Sequence, residues 1–411
     1  MKKPYLLNTL LITSLIILWH KPAIAQIQYK IPNVKTIVVH HAHNEYSGWP
    51  ANNGLWIWDK GDELEIILGF TTGFYDSVGG FHNISEERIS RLARSKNGGK
   101  KWMTFIPENY VIKDASARKL TAPINFKHPD FMLKMCGQGY HAHELKDSPV
   151  FYYSYDRGNS WSGPYSFAGL KEWPQLKLYE EITMRTDYHV ISEDECILFG
   201  SATQEAWKDK VFAFRTIDGG LSFEFLSWII PESDPYRAVM PQTIPINSND
   251  YITVIRRRPH PQDRSRNYCW IDAYKSRDGG KTWEFLSQVT QTGEASFNGN
   301  PPALTKLFDG RLLVVYGNRS TGQLLCRISN DQGATWGSEI IIRDKEDFLS
   351  LPGSNISDFG YPRVMQRKRD GEIMVFYYYA DKKHGPEQHI DCSIFSLDQN
   401  LIGTEYGVRI R

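Results

Sequence analysis

Ser276-Arg277-Asp278-Gly279-Gly280-Lys281-Thr282-Trp283 reads as a tight turn between two strands. Aspartate can accept backbone N–H bonds, glycine enters the left-handed region without steric cost, and an aromatic ring can pack beneath the turn to pin it to a sheet. The same order of hydroxyl, acid, glycine, hydroxyl and aromatic residues recurs at 154–161 and 329–336 and ends in Phe at 216–223. It persists at 95–102 with Asn97 and Lys101 substituted. The third positions, 97, 156, 218, 278 and 331, lie 59, 62, 60 and 53 residues apart. That period fits one four-stranded sheet unit.

Strand-like runs fill the intervals. Between the turns at 216 and 276 lie 225–230, 238–245, 251–257 and 270–275, and before the next turn come 283–288, 302–307, 311–316 and 324–328. Four strands per period without helical periodicity predict an all-β protein, a single β-propeller of four-stranded antiparallel blades. From the last turn through the C-terminus and round to the first turn, with residues 1–25 set aside, there are 152 residues, which fit two long intervals or three short ones. Six and seven blades are both compatible with that remainder. The run 36–41 is expected to complete the blade formed by 361–366, 372–379 and 389–395, closing the ring with material from both ends and hiding its edge strands.

Residues 1–25 read as a signal peptide. Lys2 and Lys3 precede an apolar run from Leu6 to Trp19, and Ala23-Ile24-Ala25 supplies small residues for cleavage before Gln26. The propeller domain is then 26–411, in a periplasmic or secreted protein without membrane insertion. Of the 411 residues, 41% are hydrophobic and 23% charged, which excludes a wholly disordered chain. Losing three lysines with the leader moves the formal charge from +1 to −2, so nucleic acid is not expected as a partner. The five cysteines, 136, 196, 269, 326 and 392, are too widely spaced for a metal knuckle and read as small buried thiols.

The turns resemble the Asp boxes, or BNR repeats, of the sialidase superfamily. A narrower likeness runs through Gly48-Trp49-Pro50-Ala51-Asn52-Asn53-Gly54, Arg185-Thr186-Asp187-Tyr188, Met240-Pro241, Arg256-Arg257-Arg258, Asn298-Gly299-Asn300-Pro301-Pro302 and Gly360-Tyr361-Pro362-Arg363. These resemble bacterial propellers that include α-L-rhamnosidases acting on rhamnosyl-glucuronic acid, together with rhamnose–glucuronate lyases and ulvan lyases. The resemblance favours seven blades. It implies an acidic poly- or oligosaccharide of rhamnose and uronic acid as substrate. The rhamnosidases carry their catalytic histidine where this chain has Asn53, and an amide is no acid or base near neutral pH. Elimination is therefore preferred here over hydrolysis, with a non-catalytic sugar-binding propeller as a further alternative. Sialidase is the weakest reading, because the Arg-Ile-Pro motif of the first blade is absent.

Elimination at a uronic acid needs a group that blunts the carboxylate charge, a base for the C5 proton and an acid for the leaving oxygen. His143, Tyr188 and His82 are the candidates for moving protons, and Arg257 or Arg363 for gripping the carboxylate in two parallel hydrogen bonds. Arg256 or Arg258 takes that role if the strand register differs by one. Asn53, Arg185, His189, Tyr268 and Asn300 are candidate substrate contacts, and Tyr46 and Trp49 a stacking platform for a sugar face. His141 and His143 share one strand phase, but two ligands make no metal site. His40, His41 and His43 look like a metal run that strand alternation divides, so no cofactor or metal is expected.

Overall fold

The computed structural model describes residues 29–77, 82–112, 115–137, 148–204, 208–263, 265–349 and 358–397, so the leader and His143 lie outside the described residues. Six sheets are present among them. The third and fourth blades are simple meanders, Glu181–Val190, Cys196–Thr203, Lys210–Thr216 and Glu224–Trp228, then Arg237–Pro245, Tyr251–Arg258, Tyr268–Ser276 and Glu284–Glu294. The fifth comprises Ala303–Lys306, Leu312–Asn318, Gln323–Ser329 and Ile340–Arg343, with Tyr29–Lys30 added in parallel at its edge.

The sixth closes the ring as expected. Lys35–His40 pairs with Gly385–Phe395, which continues through Ile373–Asp381 to Gly360–Gln366. The favoured count of seven is corrected to six. The residues that could have made a seventh blade are spent on two twelve-residue strands of the first blade, Leu64–Tyr75 and Ile84–Ser95, and on a first strand broken into Glu45–Gly48 and Leu55–Asp59.

The second blade has three described strands, Met132–Cys136, Val150–Ser154 and Ser162–Ser166. Register identifies the missing position. Met132 pairs with Ser154, the first residue of its turn, as Cys196 pairs with Thr216 and Tyr251 with Ser276. Met132–Cys136 therefore stands where other blades have their second strand.

The repeated turns close as their residues dictate. In the fourth blade Gly280 N donates to Ser276 Oγ at 2.9 Å, while Thr282 N and Oγ1 donate to Asp278 Oδ1 and Oδ2 at 2.9 and 2.6 Å. Gly280 has φ +84°, where a side chain would be strained. The aromatic residues are less uniform than the repeat implies. Trp161 is 4% exposed against Tyr110 and Trp56, whereas Trp102, Trp283 and Trp336 are half-buried, donating from Nε1 to backbone or serine oxygens. Trp161→Ala should cost about 3–5 kcal/mol in chemical denaturation and Trp283→Ala clearly less; equal losses would mean the half-buried rings are anchored as firmly as the buried one.

Candidate functional site

The innermost strands break where they meet the axis. In the fourth blade Val239 pairs with Arg256 and Gln242 with Val254, leaving Met240-Pro241 out of the ladder; in the sixth, Tyr361-Pro362 is left out between Gly360 and Arg363. The third blade skips residues 185–187, and the first is interrupted by the four-residue helix Pro50–Asn53. Trp49, Met240 and Tyr361, each before a proline, adopt φ of 57°, 59° and 49°. Bulky residues resist that region and proline restricts its predecessor further, so each position stores about 1–3 kcal/mol of strain held by its surroundings.

Freed carbonyls at these breaks are taken by guanidinium groups. Arg185 Nη1 donates to Met240 O at 2.8 Å and Nε to Ala51 O at 3.3 Å, while Arg363 Nη2 donates to Ala51 O and Thr186 O at 2.6 and 2.8 Å. Lys134 donates to Asn52 O at 3.2 Å and Asn53 Oδ1 at 2.8 Å. The short helix is thereby tied to three blades and separates the two ends of the axis.

One end is the side of the repeated turns, since Val190 pairs with Cys196, which in turn pairs with Thr216. A cleft of about 370 Å³ opens there, lined by Trp56, Trp58, Tyr188, His189, Gln242 and Arg363 among others. Tyr188 accepts at its hydroxyl from Trp56 Nε1 at 3.1 Å and from Leu133 N at 3.3 Å, and burial pushes its pKa up. His189 Nε2 donates to Thr243 O at 3.0 Å, and burial pushes its pKa down to about 4. Neither arrangement resembles a poised acid or base.

The opposite end gathers more chemistry. Asp358, fully buried, accepts at Oδ2 from His82 Nδ1 and Tyr46 OH, both at 3.0 Å, and at Oδ1 from Tyr378 OH at 2.5 Å, with Arg319 Nη2 3.5 Å away. Burial alone would raise its pKa, but His82, Arg319 and Tyr378 outweigh it and hold the carboxyl below the ordinary value. Tyr46 and Tyr378 are pushed well above 10, first by burial and then by that charge, so they remain donors. Since an ionised carboxylate only accepts, His82 Nδ1 carries the proton in this pair. Trp49 lies edge-on to His82, with centroids 5.1 Å apart, and Arg88 stands 5.2 Å from the Trp49 ring centroid.

Beside this dyad three buried arginines surround Tyr361. Arg256 Nη1 is 3.5 Å from the Tyr361 hydroxyl and the Arg319 guanidinium 5.7 Å from its ring centroid, while Arg185 interacts electrostatically with Tyr361, Arg256 and Arg363. Arg185 Nη2 is buried without a hydrogen-bond partner, and burial followed by the Arg363 charge pulls the Arg185 pKa down to about 9.

Several sequence-based expectations are relocated. Strand alternation turns Arg256 inward and Arg257 the other way, where Asp234 at 2.6 Å, Asp272 at 3.2 Å and the Trp270 ring already occupy its guanidinium. Arg257 is thus turned away from the axis, and the adjacent Arg256 is the one that reaches Tyr361 there. Asn53 is 3% exposed, with Nδ2 on Trp49 O and Thr71 Oγ1 and Oδ1 on Lys134, so its amide is spent internally. Asn300 is a positioning residue: Nδ2 donates to Phe359 O at 2.8 Å and Oδ1 accepts from Tyr361 N at 3.0 Å across Gly360, where a Cβ would strike the Asn300 amide at 2.5 Å. Tyr268 sits apart, edge-on to Trp270 and with the Arg266 guanidinium 5.4 Å from its ring centroid. His82 and Trp49 meet at the axis end; Tyr188, His189 and Arg363 line the other cleft. Asp358, Tyr378 and Arg319 were missed, the signal for Asp358 being only its place two residues ahead of the Gly360-Tyr361-Pro362 break.

The chain matches the model of the BNR repeat-like domain over residues 88–375 and belongs to that family. No curated protein sequence matches it. Among solved structures, a protein of unknown function from Dyadobacter fermentans is 21% identical with a TM-score of 0.61, covering 89% of this chain and 99% of that one. The Hadza microbial sialidase Hz136 is 14% identical at TM-score 0.55, over 88% of this chain and 68% of its own. An α-L-arabinanase of Penicillium chrysogenum, solved with arabinobiose, is 13% identical at TM-score 0.55, over 90% and 99%. At these identities the likeness establishes the fold. No helix of the described residues is long and apolar enough to cross a membrane.

The buried imidazole of His189 carries a pH signature. A folded-state pKa near 4, below the unfolded value of about 6.5, contributes stability that is fully present above pH 6.5 and is lost as pH falls through 4. His189→Gln, which keeps a donor for Thr243 O, should lose about 1–3 kcal/mol less than wild type between pH 7.5 and 4 in chemical denaturation. Parallel pH profiles would contradict the assignment.

Proposed function

We propose that this protein is an exported carbohydrate-active enzyme that binds an anionic glycan at the axis end away from the repeated turns. The observation that carries the reading is the His82–Asp358 hydrogen bond at 3.0 Å, set beside the buried guanidinium of Arg256, whose hydrogen bonds go to Asn298 O and the Tyr361 hydroxyl. Asp358 fixes the imidazole tautomer and would stabilise the imidazolium that forms when Nε2 takes a proton. Trp49 offers an apolar ring for the C–H face of a sugar, and Arg256 with Arg319 offers charge for its carboxylate. Hydrolysis is the preferred chemistry. His82 would take a proton from water as the oxygen bonds to the anomeric carbon and the glycosidic C–O bond breaks, the departing oxygen regaining a proton. The sialidase and arabinanase names carried by similar folds support this class.

Elimination is the second reading, favoured specifically by the arginines around Tyr361. Guanidinium neutralisation of a uronate makes its C5 proton acidic; His82 would remove it as the C4–O bond breaks, giving a C4–C5 double bond while the leaving oxygen takes a proton from water. Ulvan and rhamnosyl-glucuronate oligosaccharides are the substrates that the motif resemblance suggests for either route.

The chain after residue 25, incubated with these glycans, should release reducing sugar without new near-ultraviolet absorbance; absorbance rising in step with reducing ends would make it a lyase. His82→Ala should lower kcat about 10²–10⁴-fold with the melting temperature little changed. Arg256→Gln should cut kcat/KM about 100-fold on the uronate substrate and much less on its carboxyl-reduced form. Binding without turnover across acidic, neutral and sialylated glycans would make the protein a lectin-like module.

A further inference from the structure

The hairpin between Ile373–Asp381 and Gly385–Phe395 holds a second cluster, away from Tyr361 and unused by the proposed chemistry. One ligand atom from each of Asp381, His384 and His389 lies within 4.8 Å of the others. His389 is fully buried and its Nε2 makes no hydrogen bond, facing Asp391 Oδ2 at 3.3 Å and Asp381 Oδ2 at 3.7 Å. His41, just after Lys35–His40, sets its ring 5.5 Å from those of both His384 and His389, and its Nε2 is likewise buried without a partner. A fully buried imidazole nitrogen without a hydrogen bond, facing two carboxylates, with a second orphaned imidazole beside it, is an expensive arrangement to leave empty.

We propose that this cluster binds one divalent transition-metal ion, zinc fitting best, through Asp381, His384, His389 and His41. Three imidazoles and a carboxylate match the ligand types and number of a tetrahedral zinc site. Bonds of about 2.1 Å place tetrahedral ligands about 3.4 Å apart, so the atoms of Asp381, His384 and His389, within 4.8 Å of one another, have to draw in by up to about 1.4 Å, and the His41 ring has to turn in from 5.5 Å between centroids. Arg343 stands behind the site, bonded to Asp381 Oδ2 at 2.7 Å and to Asp391, and orients both carboxylates. Its charge is offset by Asp381 and Asp391. Without metal, His384 Nδ1 and Asp381 Oδ1 share a hydrogen bond at 2.9 Å, a contact that the ion would replace. A cleft of about 440 Å³ lined by Thr36, Asp381, His384 and Asp391 gives entry.

The ligands come from both sides of the ring seam, His41 from the N-terminal strand and the others from the C-terminal hairpin. The ion would therefore staple the closing blade, raising stability by binding only the closed fold.

The test uses the chain after residue 25, stripped with chelator and titrated with Zn²⁺ or Co²⁺ alone. The expected result is one ion per chain, visible absorption bands of tetrahedral cobalt, and a melting temperature raised by several degrees. His384→Ala and His389→Gln should each lose the ion and the shift; His384→Ala, at a partly exposed position, carries the test if the buried variant does not fold. No saturable binding to wild type, or an unchanged equivalent in His384→Ala, would overturn the proposal.

Discussion

Positive charge is enclosed at the axis, and much of the centre is arranged around it. Arg185, Arg256, Arg319 and Arg363 are each no more than 6% exposed, while the buried carboxylates that face them among the described residues are Asp187 and Asp358. Removing guanidinium ions from water is costly unless carbonyls, carboxylates or a ligand replace the solvent. The broken inner strands supply carbonyls to Arg185 and Arg363. Arg256 donates to Asn298 O and reaches Tyr361, with no carboxylate against it among the described residues, and the anionic glycan proposed above would complete that balance.

Strain and charge are two sides of the same device. A continuous inner strand would bond its own carbonyls along the ladder and leave none for the arginines. Left-handed residues before proline at Trp49, Met240 and Tyr361 break the ladder and turn three large side chains toward the axis. Asn300 holds one of these turns from both sides of Gly360. The strain is sustained by packing that a solvent-exposed loop would not provide.

Much of the architecture was legible because it is local and periodic. The turn residues 276–283 specify their own hydrogen bonds, and the strands between turns alternate as expected, so blade boundaries were accurate to within a few residues apart from the longer Glu284–Glu294. Blade number was not legible, since strand length and a broken first strand absorb residues as readily as another blade does. Site residues were harder for a different reason. Asn53 looked available until Lys134, 81 positions away, was found on its oxygen, and Arg257 differs from Arg256 only by the face of one strand. Asp358 has no motif of its own; its meaning comes from His82, Tyr46 and Tyr378, brought together by ring closure. His41 illustrates the same limit, because alternation correctly separated it from His40 while its companions His384 and His389 lie more than 300 residues on.

Which end of the axis receives the ligand is the claim on which the rest turns. A crystal of the His82→Ala variant soaked with a rhamnosyl-glucuronate oligosaccharide should place the uronate carboxylate against Arg256 or Arg319 and a sugar face over Trp49. Density instead in the cleft lined by Tyr188, His189 and Arg363 would contradict the account and move the chemistry to the side of the repeated turns.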